Sequence, residues 1–278
     1  TFTIGFENES YLKNELNEAS QAAKFIGTDH IEVILSEGEF NSNFDDFIKS
    51  IDQPSIDGLN TYFVSKAAHE NNIKVALSGL GADELFAGYD SFLMLKKSTN
   101  YKNNPIINLF SKLYPVVSNR LTFNAMLRSP SVDDRFLLFR NVNKPNQIQK
   151  MLSNQFDDYD KNHVGNMIKK HNLSFIDPVN RYSEYELKHY LLNTLLRDSD
   201  ALSMASSLEL RPVFLDHKLV EFSFSIGGVL KLNKNITKSV LKDATKDLLP
   251  ADFFNRKKAG FSLPLYKWIN ASMKYRII

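Results

Sequence analysis

Residues Ser78 to Tyr89 read SGLGADELFAGY, placing two carboxylates, Asp83 and Glu84, directly behind two glycines, Gly79 and Gly81. Glycine lets a backbone approach a ligand closely or take a positive φ. Acids in a first helical turn lie near the partial positive charge there. One chemistry for this spacing is a nucleotide site. Backbone groups of Ser78 and Gly79 would contact the ligand, and Asp83 would hold Mg2+ on its phosphates, because Mg2+ takes one or two carboxylates plus phosphate oxygens. The other reading is a strand-turn-helix connection whose acids cap the helix and whose Gly88 ends it. Spacing alone leaves both open.

Charged residues farther along suggest support rather than chemistry. Glu209 and Arg211 read as a buried or half-buried ion pair, and Asp198 and Asp200 as acids at the rim of a site, with a structural role the simpler reading. His217 has no second His or carboxylate cluster at ligand spacing, so it reads as a hydrogen-bonded structural His and not as a zinc ligand. The absence of cysteine excludes disulfides, thiolate metal sites and a cysteine nucleophile.

The elements that must position Ser78 to Tyr89 alternate. Phe2–Phe6, Ile31–Leu35 and Ile73–Leu77 are strand-like runs. Between them, helical spacing covers Asn14 to Ile26, closed by Gly27, then Phe44 to Ile51 and Asn60 to Glu70. This rhythm predicts a parallel sheet with helices on both faces, and ligands beyond the carboxyl ends of its strands. The third strand is expected to be buried and to run straight into Ser78. From about Ser91 the pattern is almost entirely helical, giving a division into 1–95, a partial nucleotide-binding α/β core, and 96–278, a helical part contributing to the same site. Three strands are few, and both termini read as cuts, with a further strand expected upstream.

The 278 residues carry 34 basic and 32 acidic side chains, a net charge of +2. That balance points to neither a nucleic-acid nor a membrane partner. No apolar run is long enough to span a bilayer.

Several segments in order resemble the synthetase part of glutamine-hydrolysing asparagine synthetases. SGLGADELFAGY is similar to that family's S-G-x-G-x-D-E-L/V-F-x-G-Y. Upstream, Thr3-Ile4-Gly5-Phe6 resembles the strand whose backbone meets adenine, Asp29-His30-Ile31-Glu32 the start of the family's next strand, and Asp52-Gln53-Pro54-Ser55-Ile56-Asp57 the Asp-Glu-Pro-x-x-Asp loop. Downstream, Arg197 to His217 is similar to the long stretch ending in F-L-D-H, and Lys257-Lys258-Ala259-Gly260-Phe261, with Pro264 and Trp268 beyond, to K-K-x-G-F-x-x-P and its Trp.

The resemblance implies an adenine nucleotide alpha hydrolase-like fold of the ATP pyrophosphatase type, lacking its first strand. It implies ATP and Mg2+ as cofactors and a two-step reaction. A carboxylic acid and ATP give an acyl-adenylate and pyrophosphate, then ammonia displaces AMP to form an amide. By this resemblance Asp83 is the metal ligand, and Lys258 contacts phosphate and stabilises the transition state. Ile4, Ser78 and Gly79 bind nucleotide, and Asp57, Leu80 and Gly81 line the substrate. The expected partners are an acid substrate, aspartate first, and a glutaminase domain in the full-length protein; a homodimer and a cytoplasmic location also accord with it.

Three departures qualify that expectation. The S-G-G-x-D-S phosphate loop and the glutaminase nucleophile lie outside the sequence. Leu80 stands where many asparagine synthetases carry Glu, and Leu neither hydrogen-bonds nor transfers protons. Two alternatives follow: a related amidotransferase acting on another acid, of the surface-polysaccharide or β-lactam synthetase type, and a catalytically incompetent relative.

Overall fold

The computed structural model describes residues 1–7, 12–55, 58–101, 131–140, 177–250, 253–254 and 268. They form an α/β chain, rich in helix, with parallel strand pairing. Two compact units share it: Thr1–Gly79 with Thr194–Val213 and Ala244–Ile278, and Leu80–Asn193 with Phe214–Asp243. The expected boundary near residue 95 is not among the places where the chain passes between them.

The first unit starts with β1 (Phe2–Phe6), α1 (Leu12–Ile26) and β2 (Ile31–Leu35). β1 and β2 pair in parallel, with Ile4 opposite Val33. The crossover helix α1 closes at Gly27, whose N–H donates to the Ala23 carbonyl at 2.8 Å. Helix α2 (Glu37–Ser50) starts seven residues ahead of the expected Phe44, because Ser36 and Glu39 form a reciprocal capping box. Helix α3 (Leu59–Glu70) leads to β3 (Val75–Ser78). Ile4, Phe6, Leu35, Phe40, Phe47, Tyr62 and Phe63 form one apolar core, which Trp268 enters edge-on to Phe6 at 5.7 Å between ring centroids.

A fourth strand, β4 (Glu209–Pro212), was not expected. It pairs in parallel with β3, Ser78 opposite Pro212, so the described strands make two parallel pairs, β1–β2 and β3–β4. Two further expectations fail. Side chains two apart share one face of a strand, and on β4 that face is open: Glu209 and Arg211 pair at 2.8 Å while 57% and 60% exposed, so their ion pair is neither buried nor half-buried. The strand before the motif is not buried either, since Leu77 is 73% and Val75 41% exposed.

In the second unit the order is α4 (Ala82–Leu85), α5 (Asp90–Tyr101), α6 (Val132–Arg140) and α7 (Pro178–Tyr185), running into a π-helical segment, Glu186–Leu196. Helix α8 (Arg197–Met204) belongs to the first unit, and α9 (His217–Ser225), α10 (Gly228–Lys231) and α11 (Ser239–Thr245) follow, α11 starting in the second unit and passing into the first after Asp243. Phe92, Leu95, Phe136, Tyr182, Tyr185 and Leu232 form this unit's core. Phe92 and Phe136 both meet Tyr182 edge-on, at 4.8 and 5.6 Å. No helix among the described residues is long and apolar enough to cross a membrane.

Candidate active site

The chain passes from the first unit to the second between Gly79 and Leu80, inside the motif. Ile4 is buried in β1, half-buried Ser78 ends β3 and Gly79 is exposed just past it. Ile4 and Ser78 lie on different strand pairs. Leu80, Gly81 and Asp83 belong to the second unit. Asp57 and Lys258 lie outside the described residues.

Gly81 takes φ +95° as the N-cap of α4, where an L-residue is strained, and a Cβ there would overlap the Leu215 side chain. Of the two glycines before the acids, Gly81 therefore meets the expectation. Gly79 has ordinary φ and open space around it.

With glycine as the N-cap, no side chain caps α4, and the two acids have separate fates. Glu84 is 1% exposed and accepts a hydrogen bond from the Tyr89 hydroxyl at 2.5 Å. Burial raises its carboxyl above the ordinary range, with the Tyr89 hydroxyl pulling the other way and Asp83 adding to the rise. Asp83 keeps 26% of its side chain exposed and pairs through Oδ1 with Lys238 Nζ at 2.9 Å. Gly88 does not end the helix through its own φ. Its neighbour Ala87 takes the positive φ, and a Cβ at Gly88 would overlap the Asp83 carboxylate and Lys238.

Around Glu84 lies a polar cluster that no motif announced. Arg140 donates from Nε and Nη2 to Glu186 Oε2, at 2.9 and 2.5 Å. Its guanidinium lies over the Tyr190 ring at 3.4 Å and the Tyr89 ring at 4.7 Å. Glu186 is fully buried, and burial pushes it up to about 7 against the pull of Arg140. Lys238 and Arg140 were missed because each is an ordinary basic residue whose partner is remote in sequence.

In the first unit, Asp198 is buried and not at a rim. It accepts hydrogen bonds from Gln53 Nε2 at 3.2 Å and from the Ser55 hydroxyl, while Arg197 pairs with Asp52 at 2.7 Å. Helix α8 thus holds the segment that resembles the Asp-Glu-Pro-x-x-Asp loop. Asp200 is exposed. His217 is exposed at the first position of α9, with no hydrogen-bond partner among the described residues, so it is not the hydrogen-bonded His expected. No group of three or more His, Asp or Glu among the described residues is arranged to hold a metal.

The family described as asparagine synthase matches residues 1–277. The chain belongs to the asparagine synthase family. It is 28% identical over 277 residues to a putative glutamine-hydrolysing asparagine synthetase of Mycobacterium tuberculosis, covering 98% of this chain and 42% of that protein. With asparagine synthetase [glutamine-hydrolyzing] 1 of Bacillus subtilis it shares 26% over 280 residues, 98% of this chain and 44% of the other. Amidase chyE of Penicillium rubens is 24% identical over 308 residues, 99% of this chain and 45% of the amidase. The chain therefore spans less than half the length of these relatives.

Proposed function

We propose that this chain is the ATP-using synthetase part of an amide-forming ligase of the adenine nucleotide alpha hydrolase-like type. In the full-length protein an acid oxygen attacks the α-phosphorus of ATP and pyrophosphate leaves. Ammonia from glutamine, supplied by a glutaminase domain, then attacks the acyl carbon and AMP leaves. Aspartate is the first candidate acid, the product being asparagine, and a cytoplasmic location follows from that role.

The observation that carries this reading is the divergence of two adjacent acids. Glu84 is buried and engaged by Tyr89, whereas Asp83, on the same four-residue turn, keeps 26% of its side chain exposed and pairs with Lys238. Solvent reaches the Asp83 side chain and is almost wholly excluded from Glu84. The donor set fits Mg2+ in one way: a single carboxylate completed by the phosphates of the nucleotide. Bound there, Mg2+ would neutralise charge gathering on the pyrophosphate leaving group. Asp83 would hold the metal end of the phosphates, and Ile4, Ser78 and Gly79 would offer backbone groups to the nucleotide. Lys258 would meet the same developing charge from the phosphate side. Gly81 and Asp57 would face the acid substrate.

Leu80 favours a second reading, an acid other than aspartate, because its apolar side chain stands half-buried where a carboxylate is common in the resemblance. Acid-dependent exchange of pyrophosphate into ATP by the full-length protein separates the two. Stimulation by aspartate supports the first, and stimulation by a different acid alone replaces it. Asp83→Asn should lower the exchange at least about 100-fold. Near-normal exchange in that variant would remove Asp83 from the metal.

A further inference from the structure

Glu84 sits beside Asp83 in the chain, and three other elements converge on it. The Tyr89 hydroxyl, from the connection between α4 and α5, donates to its carboxylate. The Tyr89 ring carries the Arg140 guanidinium on its face, and Arg140 is the last residue of α6. Tyr190, within the π-helical segment, stands edge-on to Tyr89 at 6.2 Å and takes the other contact with Arg140. Glu186, the first residue of that segment, receives the guanidinium fork. π-Helical geometry is rare and gathers at functional places.

The charges do not balance without Arg140. Two buried carboxylates, Glu84 and Glu186, both feel one guanidinium, and Glu84 adds to the cost of ionising Glu186. Among the described residues of the cluster, Arg140 is the cation that offsets both. Its planar fork also sets the angle at which it presents its face to Tyr89, which an ammonium cannot do. The contacts therefore run from Glu186 through Arg140 and Tyr89 to Glu84, and end one residue from Asp83.

We propose that Arg140, oriented by Glu186, is a positioning residue that fixes the turn carrying Asp83 by way of Tyr89 and Glu84. In that role it need not touch nucleotide or acid. The proposal rests on the reading of Asp83 as the residue that meets the metal and phosphates. A misplacement of about 1 Å at such a group can cost a hundredfold in rate.

Two measurements on the full-length protein test it. The first is amide hydrogen exchange, compared between wild type, Arg140→Ala, Arg140→Lys and Tyr89→Phe. Arg140→Ala should speed exchange at 81–89 by about 10-fold or more while β1 and β2 keep wild-type protection. The second is acid-dependent pyrophosphate exchange. Arg140→Ala should lower kcat by about 10- to 100-fold with KM for the acid within about twofold, and Arg140→Lys should recover part of the loss. Tyr89→Phe, which keeps the ring and loses the hydroxyl, should fall between wild type and Arg140→Ala. Should Arg140→Ala fail to fold, Arg140→Lys and Tyr89→Phe carry the test. Unchanged protection at 81–89, or faster exchange there with an unchanged kcat, overturns the proposal. Failure of the ATP reading would show separately, as normal activity in Asp83→Asn, and the hydrogen-exchange result would still decide whether Arg140 holds the turn.

Discussion

Lys238 Nζ stands 2.9 Å from Asp83 Oδ1, and Gly88 lies against the pair so closely that a Cβ there would overlap both side chains. The absence of a side chain at Gly88 is what lets the carboxylate and the ammonium meet. Gly88→Ala should cost about 1–3 kcal/mol, since overpacking forces neighbours to shift, and should separate the pair. Urea denaturation checks the stability and a crystal structure of the variant the separation. Wild-type stability with the pair intact would contradict the assignment.

Glu186 predicts a pH dependence. Its carboxyl rises from an ordinary 4.5 to about 7, chiefly through burial, with Glu84 adding to the rise and Arg140 and Tyr182 opposing it. The folded protein then binds more protons than the unfolded chain between these values, so this group's contribution to stability falls as pH rises from 4.5 to 7. The fall should be on the order of 2–3 kcal/mol. Glu186→Gln should flatten the curve of unfolding free energy over that window. The same slope in the variant would place the titration elsewhere.

Lys231 is fully buried, has no hydrogen-bond partner among the described residues, and lies 5.1 Å from the Phe224 ring centre. Burial lowers its ammonium to about 8, with Asp177 pulling the other way. The folded amine loses its proton before the unfolded one, so wild-type stability should climb between pH 8 and 10.5. At pH 7, Lys231→Met should stabilise the protein by roughly 1–3 kcal/mol, because an apolar side chain of similar length avoids the desolvation. A lower thermal midpoint would mean that a counter-charge holds the ammonium.

Local signals were legible, and remote ones were not. β1 and β2 stand where their apolar runs put them, because a strand's side-chain pattern is written in five consecutive residues. The early start of α2 was also legible in Ser36-Glu37-Gly38-Glu39, a capping signal that the apolar spacing from Phe44 obscured. β4 offered only four residues, two of them charged, and its strand state depends on β3. Asp83 and Glu84 show the limit most directly. They are adjacent acids on one turn, and nothing local distinguishes the one that Tyr89 buries from the one that Lys238 meets. Lys238, Arg140 and Glu186 acquire their significance only from partners that the folded chain brings to them.

The pairing of β3 with β4 has a consequence for how the chain assembles. Ser78 and Pro212 are more than a hundred residues apart in sequence, yet they are ladder partners. During synthesis β3 emerges long before β4 exists, and its backbone groups must wait for that ladder partner. Closing so long a loop is costly in entropy and slow. β1 and β2, joined through a single helix, can pair as soon as they leave the ribosome. By this topology the pairing of β3 with β4, and with it the strand that leads into Ser78, is expected to follow the pairing of β1 with β2.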